Sequence, residues 1–85
     1  MNTFSITMPT TASQLIDLFP DLPPRVDTLI IQNVEGNAGV LYFGESSNQP
    51  FTLVAPNFMV FAPGYPRGLY VKGSSGSDTL VVGYR

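Results

Sequence analysis

The chain opens on a clean alternation. From Asn2 to Met8, Phe4, Ile6 and Met8 fall on one side and Thr3, Ser5 and Thr7 on the other, the period-two pattern of a half-buried strand. Pro9 interrupts it. Thr11-Ala-Ser-Gln14 has the form of a capping box. Leu15, Leu18 and Phe19 follow at helical spacing, and Pro20 ends the run, so the pattern predicts a short helix over 12–18. Asp21-Leu-Pro-Pro24 reads as an extended linker. Residues 1–24 are therefore either an N-terminal arm carrying a short helix, or a strand and turn folded back on the domain formed by 25–85.

Strands then follow in quick succession. Val26 to Asn33 is strongly strand-like, and the consecutive Leu29, Ile30 and Ile31 imply that both of its faces are covered. Glu35-Gly-Asn-Ala-Gly39 has turn chemistry, and Val40 to Phe43 reads as the return strand. Glu45 to Gln49 is a polar loop. Phe51 to Val54, bracketed by Pro50 and Pro56, reads as an edge strand. Asn57 to Ala62 is another strand, and Pro63-Gly-Tyr-Pro-Arg-Gly68 is a rigid turn. The last segment reads as a β-hairpin, Leu69–Lys72 and Thr79–Tyr84 about a Gly73–Ser77 turn. Its Leu69, Val71, Leu80 and Val82 are candidate core residues.

About seven short strands, with turn signals roughly every ten residues, predict an all-β fold. The expected form is a small antiparallel β-sandwich, jelly-roll-like, or a partly open barrel, with the short helix in the N-terminal arm.

Composition narrows the function classes. The 85 residues include no Cys and no His. That removes disulfides, thiolate metal ligands and the usual general base near neutral pH. Charged residues make up 12% and hydrophobic ones 44%, against about 25% charged in a typical soluble domain. So low a charge favours a protein packed against copies of itself or against a partner. Net charge is −2 and the four basic residues are scattered, so no direct nucleic-acid partner is expected. The longest apolar run, Phe58 to Ala62, is far too short for a membrane span. Met1-Asn2-Thr3-Phe4 has neither the basic nor the apolar region of a signal peptide.

No catalytic constellation stands out. The acids Asp17, Asp21, Asp27, Glu35, Glu45 and Asp78 fall mostly in turns or the arm, where solvated carboxylates are the default. The serines of 46–47 and 74–77 fit turns. Gly73-Ser-Ser-Gly76 lacks the following Lys and helix of a phosphate loop. No cofactor or metal is expected. Aromatic and apolar residues carry the functional expectation instead. Phe4, Leu15, Phe19, Tyr42, Phe58, Tyr65, Tyr70 and Tyr84 are the candidate interface residues.

From Leu29 onward the chain resembles small β-sandwich virion proteins of tailed bacteriophages. The resemblance rests on a strand ending in Gln32-Asn33, a Gly-containing turn, Val40-Leu-Tyr-Phe-Gly44, then Gly68-Leu-Tyr-Val-Lys-Gly73 and Thr79-Leu-Val-Val82. It spans about two thirds of the chain. The middle segment departs from the pattern in carrying Pro50, Pro56, Pro63 and Pro66. The resemblance implies a non-enzymatic structural protein assembled in the host cytoplasm and located in the virion. In the leading form it is a capsid decoration (cement) protein, with the major capsid protein, other virion proteins and copies of itself as partners. The alternatives are a neck, tail or fibre-attachment component, or a carbohydrate-binding module using Tyr42, Tyr65 or Tyr70.

Overall fold

In a computed structural model describing residues 1–85, the strands are β1 (Asn2–Thr7), β2 (Ser13–Gln14), β3 (Leu29–Asn33), β4 (Val40–Glu45), β5 (Asn48–Val54), β6 (Phe58–Phe61), β7 (Tyr70–Gly73) and β8 (Thr79–Tyr84). One helical turn, α1 (Leu15–Leu18), follows β2. Two four-stranded antiparallel sheets result, sheet A in the order β1-β8-β3-β6 and sheet B in the order β2-β7-β4-β5. That is the strand order of an eight-stranded jelly roll, so the expected all-β sandwich is the fold formed.

The topology corrects two local expectations. The C-terminal segment is not a hairpin, because β7 lies in sheet B and β8 in sheet A. Likewise β4 is not the return strand of β3, since the 34–39 connection also changes sheet. Turn composition at Gly73–Ser77 reports a reversal of direction and cannot report whether the chain changes layer. The single in-sheet hairpin is β4–β5, where Glu45 pairs with Asn48. The polar loop expected at 45–49 is thus a two-residue turn at Ser46-Ser47. The edge position expected for Phe51–Val54 holds, β5 being the last strand of sheet B.

Residues 1–24 are part of the sandwich. β1 pairs with β8 over its full length, and β2 pairs with β7. Met8, Leu15, Phe19 and Leu22 join Leu29, Ile31, Leu41, Phe43, Leu53, Val71, Leu80 and Val82 in one buried cluster, while Leu69 packs against it half-buried. The packing shows no break at residue 24. The helix is shorter than its pattern, since sheet B recruits Ser13 and Gln14. The capping box does not form. Gln14 is the N-cap without a side-chain cap bond, and its Oε1 accepts from the Gly68 N–H instead, at 2.8 Å. Leu15 donates its N–H to Leu69 O at 2.8 Å, which fixes the helical turn against the start of β7.

A polar network ties together two of the sheet-crossing connections, β3–β4 and β7–β8. Asn33 ends β3 fully buried. Its Nδ2 donates to Gly39 O at 3.1 Å and to Leu53 O at 2.8 Å, and its Oδ1 accepts from Asn37 Nδ2 at 2.7 Å. Asn37 also pairs with the Thr79 main chain, donating to its O at 2.7 Å and accepting from its N–H at 3.1 Å. The Asp78 carboxylate accepts the N–H groups of Ala38 and Gly39 at 3.2 and 2.7 Å. Gly39 is required there, because a Cβ would collide with Asp78 and Ser74. Asp78, read from sequence as a solvated turn carboxylate, is therefore buried and structural.

Two outcomes follow. Deleting residues 1–24 removes β1 and four core side chains, so the remainder is expected to lose its cooperative urea transition and its β-sheet circular dichroism; in the full chain Leu15→Ala should cost about 2–5 kcal/mol. Asp78→Ala strands two N–H groups and should cost about 1–3 kcal/mol by chemical denaturation.

Candidate functional site

Each strand of sheet A alternates between the core and the outside. Phe4 and Ile6, Leu80 and Val82, and Leu29 and Ile31 point inward, and the residues between them form the outer face. The register aligns those residues in rows. One row is Thr3, Gly83, Ile30 and Val60, and the next is Ser5, Val81, Gln32 and Phe58, with Thr7 beside Thr79 beyond them. Every member of this face is uncharged. Its one carboxamide is used locally, Gln32 Nε2 donating to Pro56 O at 3.1 Å. Met1 lies over Gly83 at the margin. Most of the charges sit elsewhere, in loops and at the C-terminus. Glu45 and Lys72 are the two in strands, Glu45 at the β4–β5 turn.

The outer face of sheet B differs. Lys72 lies between Tyr42 and Tyr70 in alternation, and its Nζ stands 5.6 Å from the Tyr42 ring centroid. The carboxylates are dispersed, with no three brought together. The lone salt bridge, Arg25–Asp27, spans 3.8 Å between exposed side chains and contributes little. A shallow groove of about 200 Å³ lies between β1 and the α1–Pro20 segment, lined by Phe4, Ile6, Leu18 and Phe19.

The residues expected at an interface separate into three groups. Leu15 and Phe19 are core residues and do not reach a neighbour, a correction set by the folding back of residues 1–24. Phe4 and Tyr84 are half-buried and stack on each other with centroids 6.0 Å apart, Phe4 also meeting Phe19 at 6.0 Å. Tyr42 and Tyr70 share the outer face of sheet B, half-buried. Phe58 and Tyr65 are the exposed members, at 59% and 55%. Phe58 belongs to the uncharged face, whereas Tyr65 stands in the loop before β7.

Ile30, Gln32, Val60 and Val81 share the uncharged face and are not among the expected interface residues. For Ile30, Gln32 and Val81 the signal is in the alternation, since each sits between buried residues, whereas Val60 follows the exposed Met59. On the side of the sandwich where β5 and β6 lie, Phe51 and Met59 join the exposed apolar set, and Val54 is exposed on the outer face of sheet B. The Phe43 ring backs this side, stacked on Phe51 at 5.4 Å and edge-on to Phe61 at 6.2 Å.

No family model matches the chain, and neither a curated protein nor a solved structure is significantly similar to it.

Val81 is half-buried near the middle of the face, where a lysine stem can lie along the sheet with its ammonium in water. Val81→Lys is expected to leave the urea midpoint within about 1 kcal/mol of the parent, which makes it a probe of docking rather than of folding.

Proposed function

We propose that the protein is a non-enzymatic virion structural protein of a tailed bacteriophage, one that decorates the capsid. It docks by the outer face of sheet A on the major capsid protein and is assembled in the host cytoplasm. The observation that carries this reading is the uncharged face centred on Ile30, Val81, Val60 and Phe58. A protein that works free in solution usually keeps charges interspersed over its exposed surfaces. Here the charges lie off the outer face of sheet A and leave a β surface whose covering desolvates no charged side chain. The sequence resemblance to phage β-sandwich virion proteins points the same way. So, by analogy of fold alone, does the jelly roll's use in viral shells.

The mechanism is mechanical. A preformed sandwich binds without ordering a segment, so the association avoids the entropy of coupled folding. Many weak contacts repeated over a shell add up to lattice stability.

Mass spectrometry and imaging of purified particles test the reading. The chain is expected in mature virions at hundreds of copies, with density over the capsomers. Val81→Lys should lower its occupancy roughly tenfold or more by burying an unpaired ammonium. Absence from mature particles removes the proposal. A few to a dozen copies moves the protein to the neck, tail or fibre.

A further inference from the structure

Sheet A has two open edges of opposite character. Along β1, Met8 N–H bonds Asp78 O, so the alternation of an antiparallel ladder turns the main-chain groups of Asn2, Phe4 and Ile6 toward β8. Those of Thr3, Ser5 and Thr7 turn outward. That edge is bordered by hydroxyl side chains. Along β6, Asn33 N–H bonds Asn57 O at 3.1 Å. Met59 and Phe61 therefore pair with β3, while the N–H and C=O of Phe58 and Val60 point off the edge. This second edge is apolar and carries no lysine, charge or internal proline to block pairing.

We infer that β6 is the contact between two copies of this chain, paired antiparallel to β6 of the second copy about a two-fold axis passing between the two Met59 residues. The outward groups are self-complementary in this register. Phe58 exchanges both main-chain bonds with Val60 of the second copy, and Val60 with Phe58, giving four bonds from four otherwise unpaired groups on each chain. The same pairing sets Phe58 against Val60 across the join on the outer face, an aromatic–β-branched pair of the kind that stabilises sheets.

The self-complementarity of the edge supports a second copy as the occupant, since its four outward main-chain groups are matched by the same four groups of another β6. Phe51, Val54, Phe58, Met59 and Val60 are each between 38% and 59% exposed. Val54 stands on the outer face of sheet B, while the other four border the β6 edge, so the join covers the Met59 side of that edge and leaves the outer faces of Phe58 and Val60 open.

The inference rests on the same assembly surface as the proposed function but not on the virion. Since the chain has no cysteine, Met59→Cys installs a single thiol. In the proposed register residue 59 faces its own copy as a non-hydrogen-bonded pair, with Cα atoms about 4.5 Å apart, inside the disulfide range. Mild oxidation should convert Met59→Cys to a species of twice the 9.2 kDa chain mass. Ser5→Cys, on the opposite edge, should cross-link at least tenfold more slowly. In sedimentation, the parent chain should be a concentration-dependent dimer. Val60→Pro removes an outward N–H without touching the β3 ladder, and it should sediment as a monomer with unchanged circular dichroism; Phe58→Glu is the second variant should the proline unfold the strand. A parent chain that stays monomeric, or a Met59→Cys chain that cross-links no faster than Ser5→Cys, overturns the inference. A dimer absent from particles removes the virion reading alone, and a monomer found in particles removes the dimer alone.

Discussion

Asn33 is the constraint on which the sandwich depends. It is a fully buried carboxamide on the inner face of sheet A, yet one of its two donated bonds goes to Leu53 of sheet B and the other to Gly39 of the crossing loop. A buried amide left unpaired costs about 1–3 kcal/mol, so the two sheets can close at this end only in the register that satisfies it. Asn37 completes the arrangement. Thr79 would pair with the next residue of β3 if that strand continued, and the Asn37 side chain takes that place with two main-chain-like bonds. Strand β3 can therefore stop and send the chain across to sheet B without leaving β8 unsatisfied. The Asp78 carboxylate then secures the arriving loop through Ala38 and Gly39. Two of the connections that change sheet, β3–β4 and β7–β8, thus hold each other, and no buried side-chain polar atom is left without a partner.

The same network explains what the sequence makes legible. Alternation reports which side of a strand is apolar, and it identified Val71, Leu80 and Val82 as core residues before their partners were known. It does not report which strand lies alongside. Gly73–Ser77 and Glu35–Gly39 have the composition of turns in either topology, and the polar atoms that decide between hairpin and crossing belong to residues that look like ordinary turn formers. Leu15 and Phe19 illustrate a second limit. Their helical spacing correctly marked an apolar face, but spacing cannot distinguish a neighbour's surface from the chain's own core. The helix itself lost its first turn because Ser13 and Gln14 found ladder partners in Val71 and Tyr70, a tertiary gain that outweighs the weak preference of an isolated short helix.

The uncharged face was legible only in part for a related reason. The low charge of the whole chain implies a surface short of charge, but charge content has no address. Only when the register places Ile30 beside Val60 and Val81 beside Gln32 does the uncharged area become a single surface. Of the eight residues singled out, only Phe58 lies on that face, because large rings are as useful to a small core as to an interface. Phe4, Phe19 and Tyr84 are examples, stacked together against the inner side of the sheet.

The face and the β6 edge belong to one sheet, and that makes the two proposals mechanically compatible. Antiparallel pairing keeps like faces on the same side, because directly opposed residues project in one direction. Joining β6 to its copy would extend sheet A from four strands to eight and set the two uncharged faces side by side on a common surface. The sheet twists from strand to strand, so the doubled surface is a saddle rather than a plane and fits a curved partner better than a flat one. Each docking contact then acts at the effective concentration set by its twin, and a face too small to bind firmly alone gains avidity without any new kind of contact. The hydroxyl-lined β1 edge would remain as the outer limit of the extended sheet, where Thr3, Ser5 and Thr7 offer water the hydrogen bonds that Phe58 and Val60 do not.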